Sequence, residues 1–342
     1  MKNRIYIVVK NFNSNLAKRQ PWYSVKKLLV NLEKLNYTVT IINNFEVIPN
    51  DFVGIVIKFY GAKDLLKSSK EKYTLVYLIS FPFYSIKDFY NLGFKIFIEN
   101  WRDLYSIFFV ALIPGFIIKN SFLRANKVIT ISDRSCDYLN SIGVKSLKYY
   151  PFLFDNWGGI KPHKRKKNTV TLGYFGPPYS TRCYDKVVDF FAWIEKKDFG
   201  YNKKIITRIE KEDLLNKQNS FHVKFQEANI ELVSGMLTRD KLAKELSSID
   251  VFILPFEIIM SELPIVVLES LELNAKLVTT SDSGISQLTK NSNGVLILQK
   301  FNRNEFQNII DFINHSENHK FEITKNKIIN INNQTISKIC QK

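Results

Sequence analysis

Histidine and cysteine are scarce in this chain. Cys136, Cys183 and Cys340 are isolated, with no CxxC pair, and the four histidines do not cluster, so neither a disulfide framework nor a zinc-type ligand set is indicated. Residues 1–150 contain no histidine at all, which removes imidazole from any chemistry in that half. Long apolar runs are also missing. The most apolar segment, Leu104 to Ile118, is shorter than the ~20 residues of a spanning helix and contains Pro114 and Gly115. The opening Met1-Lys-Asn-Arg-Ile-Tyr-Ile-Val-Val reads as a first strand and not as a signal peptide, because its apolar stretch ends at Lys10. A reducing, cytoplasmic setting is expected.

What is present fits a folded chain of 342 residues, 45% hydrophobic and 24% charged, long enough for two domains of roughly 150 residues each. The net charge of +17 is uneven: residues 1–150 carry 22 Lys+Arg against 10 Asp+Glu, and the remainder 27 against 22. A basic first half suits an anionic partner, a membrane surface or a nucleic acid, although basicity can also serve solubility alone. Apart from the run His163 to Lys167 the cations are dispersed, and no nucleic-acid module is recognisable, so nucleic acid is not expected.

Apolar runs rich in β-branched residues alternate with helical stretches. Ile5–Val9, Thr38–Ile42, Gly54–Phe59, Thr74–Ile79, Lys95–Ile98 and Val128–Ile131 read as strands, and Trp22–Leu35, Leu104–Arg124 and Asp133–Ser141 as helices. The glycines, proline and basic run of Asp155 to Asn168 make the best linker, after which the pattern restarts. Strands are expected at Thr169–Tyr174, Lys203–Arg208, Ile230–Val233, Val251–Leu254, Lys276–Thr280 and Val295–Leu298. Helices are expected at Cys183–Lys196, Arg239–Ser247, Pro264–Leu273 and Glu305–Asn314. The fold class is therefore α/β: two Rossmann-like domains, 1–160 and 161–320, whose parallel sheets face a cleft, with 321–342 as a tail or a helix returning to the first domain.

Two stretches carry candidate chemistry. In Gly173-Tyr-Phe-Gly-Pro-Pro-Tyr-Ser-Thr-Arg-Cys-Tyr-Asp-Lys186 a strand runs into a turn at Gly176 and Pro177 and then into a helix. Amides at that helix start, with Arg182 and Lys186, suit a diphosphate; a tight turn with solvated cations is the plainer alternative. In Asp250 to Glu269 a strand ends in Leu254-Pro255, and a helix beginning near Leu263 points the backbone from Leu263 through Pro264 and Ile265 to Val266 into the cleft, with amides to offer at all of these but the proline. Glu269, one turn on, is placed for a ribose diol, and Glu262 for sugar hydroxyls; either can also be an ordinary helix carboxylate.

The string from Asp250 to Gly284 resembles the donor-binding signature of the retaining GT-B glycosyltransferases, in which Leu-Pro is followed by Glu-x7-Glu and a Gly-Gly-Ile turn. Gly173 to Lys186 resembles that family's phosphate loop, and Ser234-Gly-Met-Leu-Thr-Arg-Asp240 the segment that lines its base pocket, at Met236. Ala125 to Asp133 with Tyr149-Tyr-Pro151 resembles the strand and linker closing its first domain, and Trp101-Arg-Asp-Leu-Tyr105 an acceptor-side element. The spacing Glu262 to Glu269 is one residue shorter than the family's, and Asn274 and Ser283 stand where glycine is usual.

The resemblance implies transfer of a sugar from a nucleotide-diphosphate sugar to a lipid-linked or cell-surface glycan acceptor, with retention. It implies front-face attack assisted by the leaving phosphate, and neither a metal nor a cofactor beyond the donor substrate. Arg182, Glu262 and Asp103 are the expected catalytic residues. Asp103 would orient or deprotonate the acceptor hydroxyl, or else cap a helix before Leu104. Leu104 to Ile118 is either a membrane-contacting stretch on an anionic bilayer or a buried helix. A noncatalytic partner subunit of the same fold is the alternative function, motivated by the shortened glutamate spacing.

Overall fold

The computed structural model describes the chain except for residues 1–3, 10–21, 61–73, 80–81, 124, 152–168, 211–224, 260–262, 291 and 342. At 22–24, 45, 60, 95, 102, 103 and 282 it describes the backbone alone. The chain divides into two compact units, Met1–Leu153 with Met260–Leu263 and Asn326–Lys342, and Phe154–Ile259 with Pro264–Lys325. The expected linker, 155–168, lies outside the described residues.

The first unit is built on six parallel strands in the order β2-β1-β3-β4-β5-β6: β1 Arg4–Val8, β2 Thr38–Ile42, β3 Ile55–Tyr60, β4 Thr74–Ile79, β5 Lys127–Thr130 and β6 Ser146–Lys148. Because side chains alternate along a strand, the sheet sorts its apolar residues into two cores. Ile5, Ile7, Ile57, Val76, Leu78 and Ile129 face Val25, Leu28 and Leu32 of helix α1 (Trp22–Glu33). Tyr6, Val8, Val56, Leu75, Tyr77 and Val128 face the helices of the other layer. That layer comprises α2 Ile86–Leu92, α3 Phe94–Glu99, α4 Trp101–Ala111, α5 Gly115–Phe122 and α6 Asp133–Ser141.

Two sequence expectations are corrected here, and two elements that were not expected are added. Lys95–Ile98, expected as a strand, lies in α3; three apolar residues are too few to fix a period, and Phe97 packs edge-on to Phe89 and Phe108 at 5.9 and 5.1 Å. The single helix expected over Leu104–Arg124 is two helices bent by 100°, because Pro114 lacks an N–H and disfavours helical geometry at Ile113. Helix α2 was legible but missed: Ser85 and Asp88 form a reciprocal capping box. Strand β6 is three half-buried residues at a sheet edge, too short to give a pattern.

The second unit carries six more parallel strands, β7 Thr171–Phe175, β8 Asn202–Ile206, β9 Ile230–Val233, β10 Val251–Leu254, β11 Lys276–Thr280 and β12 Val295–Leu298, in the order β12-β11-β10-β7-β8-β9. Its helices are α7 Tyr184–Lys196, α8 Arg239–Ser247, α9 Ile265–Glu272 and α10 Phe306–His315. Phe190 is fully buried and its ring lies 5.9 and 4.8 Å from those of Phe301 and Phe306, joining α7 to α10 on one face.

The last helix, α11 (Phe321–Cys340), begins in the second unit and continues into the first. In the first unit Ile336 and Ile339 are fully or almost fully buried beside Ile5 and Ile7. Asn332 exchanges two hydrogen bonds with the Tyr150 backbone, at 2.8 and 2.9 Å.

Candidate functional site

In the second unit, successive strands run outward from β7 to β8 and β9 in one direction and from β10 to β11 and β12 in the other. The loops leaving β7 and β10 therefore diverge from adjacent strands, and such a reversal point at the carboxyl edge is where open parallel sheets bind ligands. These two loops are the stretches singled out from the sequence. In the first unit the corresponding loops follow β1 and β3, and both lie outside the described residues.

The β7 loop is held rigidly. Tyr174, buried at the end of β7, donates its hydroxyl to the Pro177 carbonyl at 2.6 Å, and the Gly176 amide donates to Ile206 at 3.1 Å. Gly176 has a φ of +151°, and a Cβ there would come within 2.9 Å of Arg182 Nη1, so glycine is needed for the guanidinium to lie over the turn. A 3-10 turn, Ser180–Arg182, leads to Cys183, which at φ +50° adopts a left-handed geometry unusual for a side-chain-bearing residue and starts α7.

Arg182 and Lys186 differ in their surroundings. The Lys186 ammonium is paired with Glu257 of the β10 loop, whose Oε1 also accepts from the Cys183 thiol at 3.5 Å. Arg182 lies 5.6 Å from the Phe256 ring centroid and has no carboxylate partner among the described residues. Burial lowers its affinity for the proton, and Tyr174 and Tyr179 oppose that effect. A half-buried guanidinium without a counter-charge is an unbalanced electrostatic site that a bound anion would offset.

The β10 loop is fastened to the same region from two sides. The amides of Glu257 and Ile258 donate to the Thr181 carbonyl at 2.9 and 3.4 Å. Thr280, at the end of β11, accepts from the Phe256 amide at 2.9 Å and donates to the Phe256 carbonyl at 2.8 Å. Pro264 caps α9 without a side-chain hydrogen bond, so the helix start offers its first-turn amides, at Ile265 and Val266, with no carbonyl a turn earlier in the helix. Leu263 and Pro264 are buried.

Glu269 sits on α9, half-buried, and its carboxyl is pushed up to about 7, mainly by burial and next by the neighbouring Glu272, with Arg208 acting against them. Arg208, two residues past the end of β8, is therefore a cation near Glu269 that was not among the expected site residues. Beyond it, the loop after β9 turns at Gly235, φ +90°, and leaves Met236 78% exposed. The Thr207 amide donates to Val233 and the Gly235 amide to Ile209, tying these two loops together.

Gly176, Pro177, Arg182, Lys186, Ile265, Val266 and Met236 thus lie on loops or helix starts that follow strands of one sheet, and Glu269 is one turn further along α9. Glu262 and Ser261 lie outside the described residues. Asp103 is in the first turn of α4, where Asn100 is the capping position, so it is not the helix cap; its side chain is outside the described set. Glu257, Thr280, Tyr174 and Arg208 were missed. Glu257 carried a usable signal, since an acidic residue just past a buried strand's proline must find a cation.

The departures from glycine are explained in part. Asn274 adopts φ +54°, a conformation asparagine tolerates better than most residues, and its Oδ1 accepts from the Phe321 amide at 2.9 Å. Ser283 closes a turn ahead of Gly284, φ +71°, with its hydroxyl buried and without a hydrogen-bond partner among the described residues.

Two such sheets, one per unit, define the class: this is the fold of the GT-B glycosyltransferases. No family model and no curated protein matches the chain. Solved structures do match along almost its whole length. A trehalose-6-phosphate synthase studied with bisubstrate glycomimetics is similar at a TM-score of 0.61 and 12% identity, over 98% of each chain. An alpha,alpha-trehalose-phosphate synthase (UDP-forming) from Burkholderia vietnamiensis gives 0.60 and 10%, over 99% of this chain and 97% of its own. WaaG, a glycosyltransferase involved in lipopolysaccharide biosynthesis, gives 0.57 and 12%, over 97% and 95%. At these identities the likeness is one of fold.

Proposed function

We propose that this protein is a glycosyltransferase that moves a sugar from a nucleotide-diphosphate sugar to an acceptor, with the second unit binding the donor. The observation that carries this reading is Arg182, a half-buried cation with no carboxylate partner among the described residues, poised over Gly176 at the sheet's reversal point. A departing diphosphate is the anion such a site favours, and fixed positive charge with helix-start amides is the device that stabilises it. Glu269 holds the ribose diol, Met236 borders the base, and Lys186, released from or shared with Glu257, adds a second charge. Asp103 and Glu262 are assigned to the acceptor hydroxyl and the transferred sugar. No cofactor or metal is assigned besides the donor itself.

Retention at the anomeric carbon, with the leaving phosphate assisting front-face attack, is the mechanism we assign. Support comes from the trehalose-6-phosphate synthase neighbour, which was used to study glycosyltransfer with retention. A lipid-linked or cell-surface glycan is the acceptor we assign, reached by peripheral contact of the basic first unit with an anionic membrane at its cytoplasmic face; WaaG, of similar fold, acts in lipopolysaccharide biosynthesis. The test is a thermal-shift panel of UDP-, GDP- and ADP-sugars. A ligand that binds only the folded state at a hundred times its Kd adds about 2.7 kcal/mol of stability. No shift with any of them, at millimolar concentration, sinks the donor assignment.

A further inference from the structure

The exposed large apolar side chains are concentrated on the helices between β4 and β5, and a contiguous patch of that kind marks an interaction surface. Ten of the sixteen exposed large hydrophobic side chains among the described residues fall between Ile86 and Leu123. Tyr90 and Phe94, at the α2–α3 junction, are 86% and 80% exposed, and Phe116 and Leu123 of the α5 region 66% and 69%. Trp101, Tyr105 and Phe109 repeat every four residues on α4 and therefore share one helix face. A chain of ring contacts joins these helices into one surface: Phe89 to Phe97 at 5.9 Å, Phe97 to Trp101 at 5.1 Å, Trp101 to Tyr105 at 6.5 Å and Trp101 to Phe109 at 6.4 Å.

We infer that this surface is a bilayer-docking face that sinks into one leaflet without crossing it. The inference deepens the peripheral-contact part of the proposed function, and rests on it, by naming the residues and the depth. Among the described residues no single helix is long and apolar enough to cross a membrane, although α4 and α5 together pass that test as a bent pair. Crossing is excluded by their other faces. Leu104, Ile107, Val110, Ile118 and Phe122 are buried in the first unit, three of them in the core against β4 and β5. Straightening the pair into a span would strip that core. What remains free is the outer face, the geometry of helices that lie in the interface.

The choice of lipid over a protein partner comes from composition and charge. Trp101, Tyr105 and Tyr90 have amphipathic rings of the kind that settle at headgroup level, while Phe94, Phe109, Leu112 and Phe116 have none of that polarity. Segment 82–124 carries five Lys/Arg against three Asp/Glu, with Lys87 and Lys119 exposed, inside a half with 22 cations and 10 anions. That complements an anionic leaflet.

The test is flotation of the full-length protein with phosphatidylglycerol/phosphatidylethanolamine vesicles against neutral phosphatidylcholine vesicles, for the wild type and for F94S/F109S/F116S. These three side chains are exposed, so the variant should fold. Wild type should float with anionic vesicles, more weakly as salt rises, and the variant's partition coefficient should fall by about tenfold per side chain replaced. Brominated lipid should quench Trp101 fluorescence, as judged by its loss in Trp101→Phe. Equal partition of wild type and variant, or no flotation on anionic vesicles, overturns the inference. So does a wild-type dimer that the variant converts to monomer, which would make the face a contact between copies. Donor binding is read separately by thermal shift: flotation without any nucleotide-sugar response leaves this surface standing and removes the transferase reading.

Discussion

Replacing Glu269 with Gln should make the protein more stable at neutral pH and less able to bind its donor. Burial and Glu272 raise this carboxyl from 4.5 to about 7. Between those values the folded protein keeps a proton that the unfolded chain has lost, so stability falls as the pH climbs through the window and stays lower above it. At 1.36 kcal/mol for each pH unit of displacement, the full effect is about 3 kcal/mol at pH 8. Glutamine cannot ionise, so the variant should be indistinguishable from wild type at pH 4 and more stable at pH 8, by a melting-temperature difference of roughly 5–10 °C for a unit of this size. Calorimetry or fluorescence melting across pH 4 to 8 gives the measurement. Parallel pH profiles for the two proteins would refute the reasoning, because they would mean that Glu269 is not titrating in the window its surroundings dictate.

The same carboxylate links pH to the ligand. Ribose hydroxyls donate hydrogen bonds, and these favour the ionised form, so donor binding should release a proton below pH 7 and tighten as the pH rises to about 7, then level off. Calorimetric titration with a UDP-sugar in buffers of different ionisation enthalpy counts that proton directly. An affinity that is flat or declining from pH 5 to 7 would separate Glu269 from the ribose.

Arg182→Ala should cut donor turnover by about 100-fold or more without lowering the melting temperature of the free protein, since the charge it removes has no carboxylate partner; near-wild-type activity would end the diphosphate assignment. Glu257→Gln deprives Lys186 of its counter-charge and should raise affinity for inorganic pyrophosphate about two- to fivefold; an unchanged Kd would place Lys186 away from the anion. Gly294→Ala puts a methyl 2.2 Å from the His319 backbone nitrogen, which no side-chain rotation relieves, and should cost about 3 kcal/mol; an unaltered melting curve would refute the steric role of Gly294.

Much of the second unit was legible because its segments obey one period at a time. Ile230–Val233, Val251–Leu254, Lys276–Thr280 and Val295–Leu298 were expected at the bounds they have, each a short apolar run closed by turn residues. The first unit was less legible where local pattern and tertiary packing disagree. Lys95–Ile98 is a short run of the kind that reads as a strand, but β4 pairs directly with β5, so no strand is inserted between them and Phe97 packs among helices instead. Strand β6 is stabilised by pairing with β5 and by α11, about 190 residues later, through the bond between Thr335 and the Lys148 carbonyl. No window around Ser146 contains that information.

The candidate site shows the same division at the level of single side chains. That Gly173–Lys186 and Asp250–Glu269 should meet was readable only given the strand order, because sequence places their arginine and helix start some 80 residues apart while topology makes β7 and β10 neighbours. Residue type then predicted chemistry correctly in kind but not in partnership. Arg182 and Lys186 look equivalent in the sequence, each a cation near a helix start. The fold separates them by giving Lys186 the Glu257 carboxylate and leaving Arg182 over an aromatic ring and a glycine. A cation that is already neutralised gains little from an incoming phosphate, whereas an unneutralised, half-buried one gains the whole interaction. Arg182 is therefore the residue on which the donor reading depends, and its alanine variant is more decisive than any substitution at Lys186.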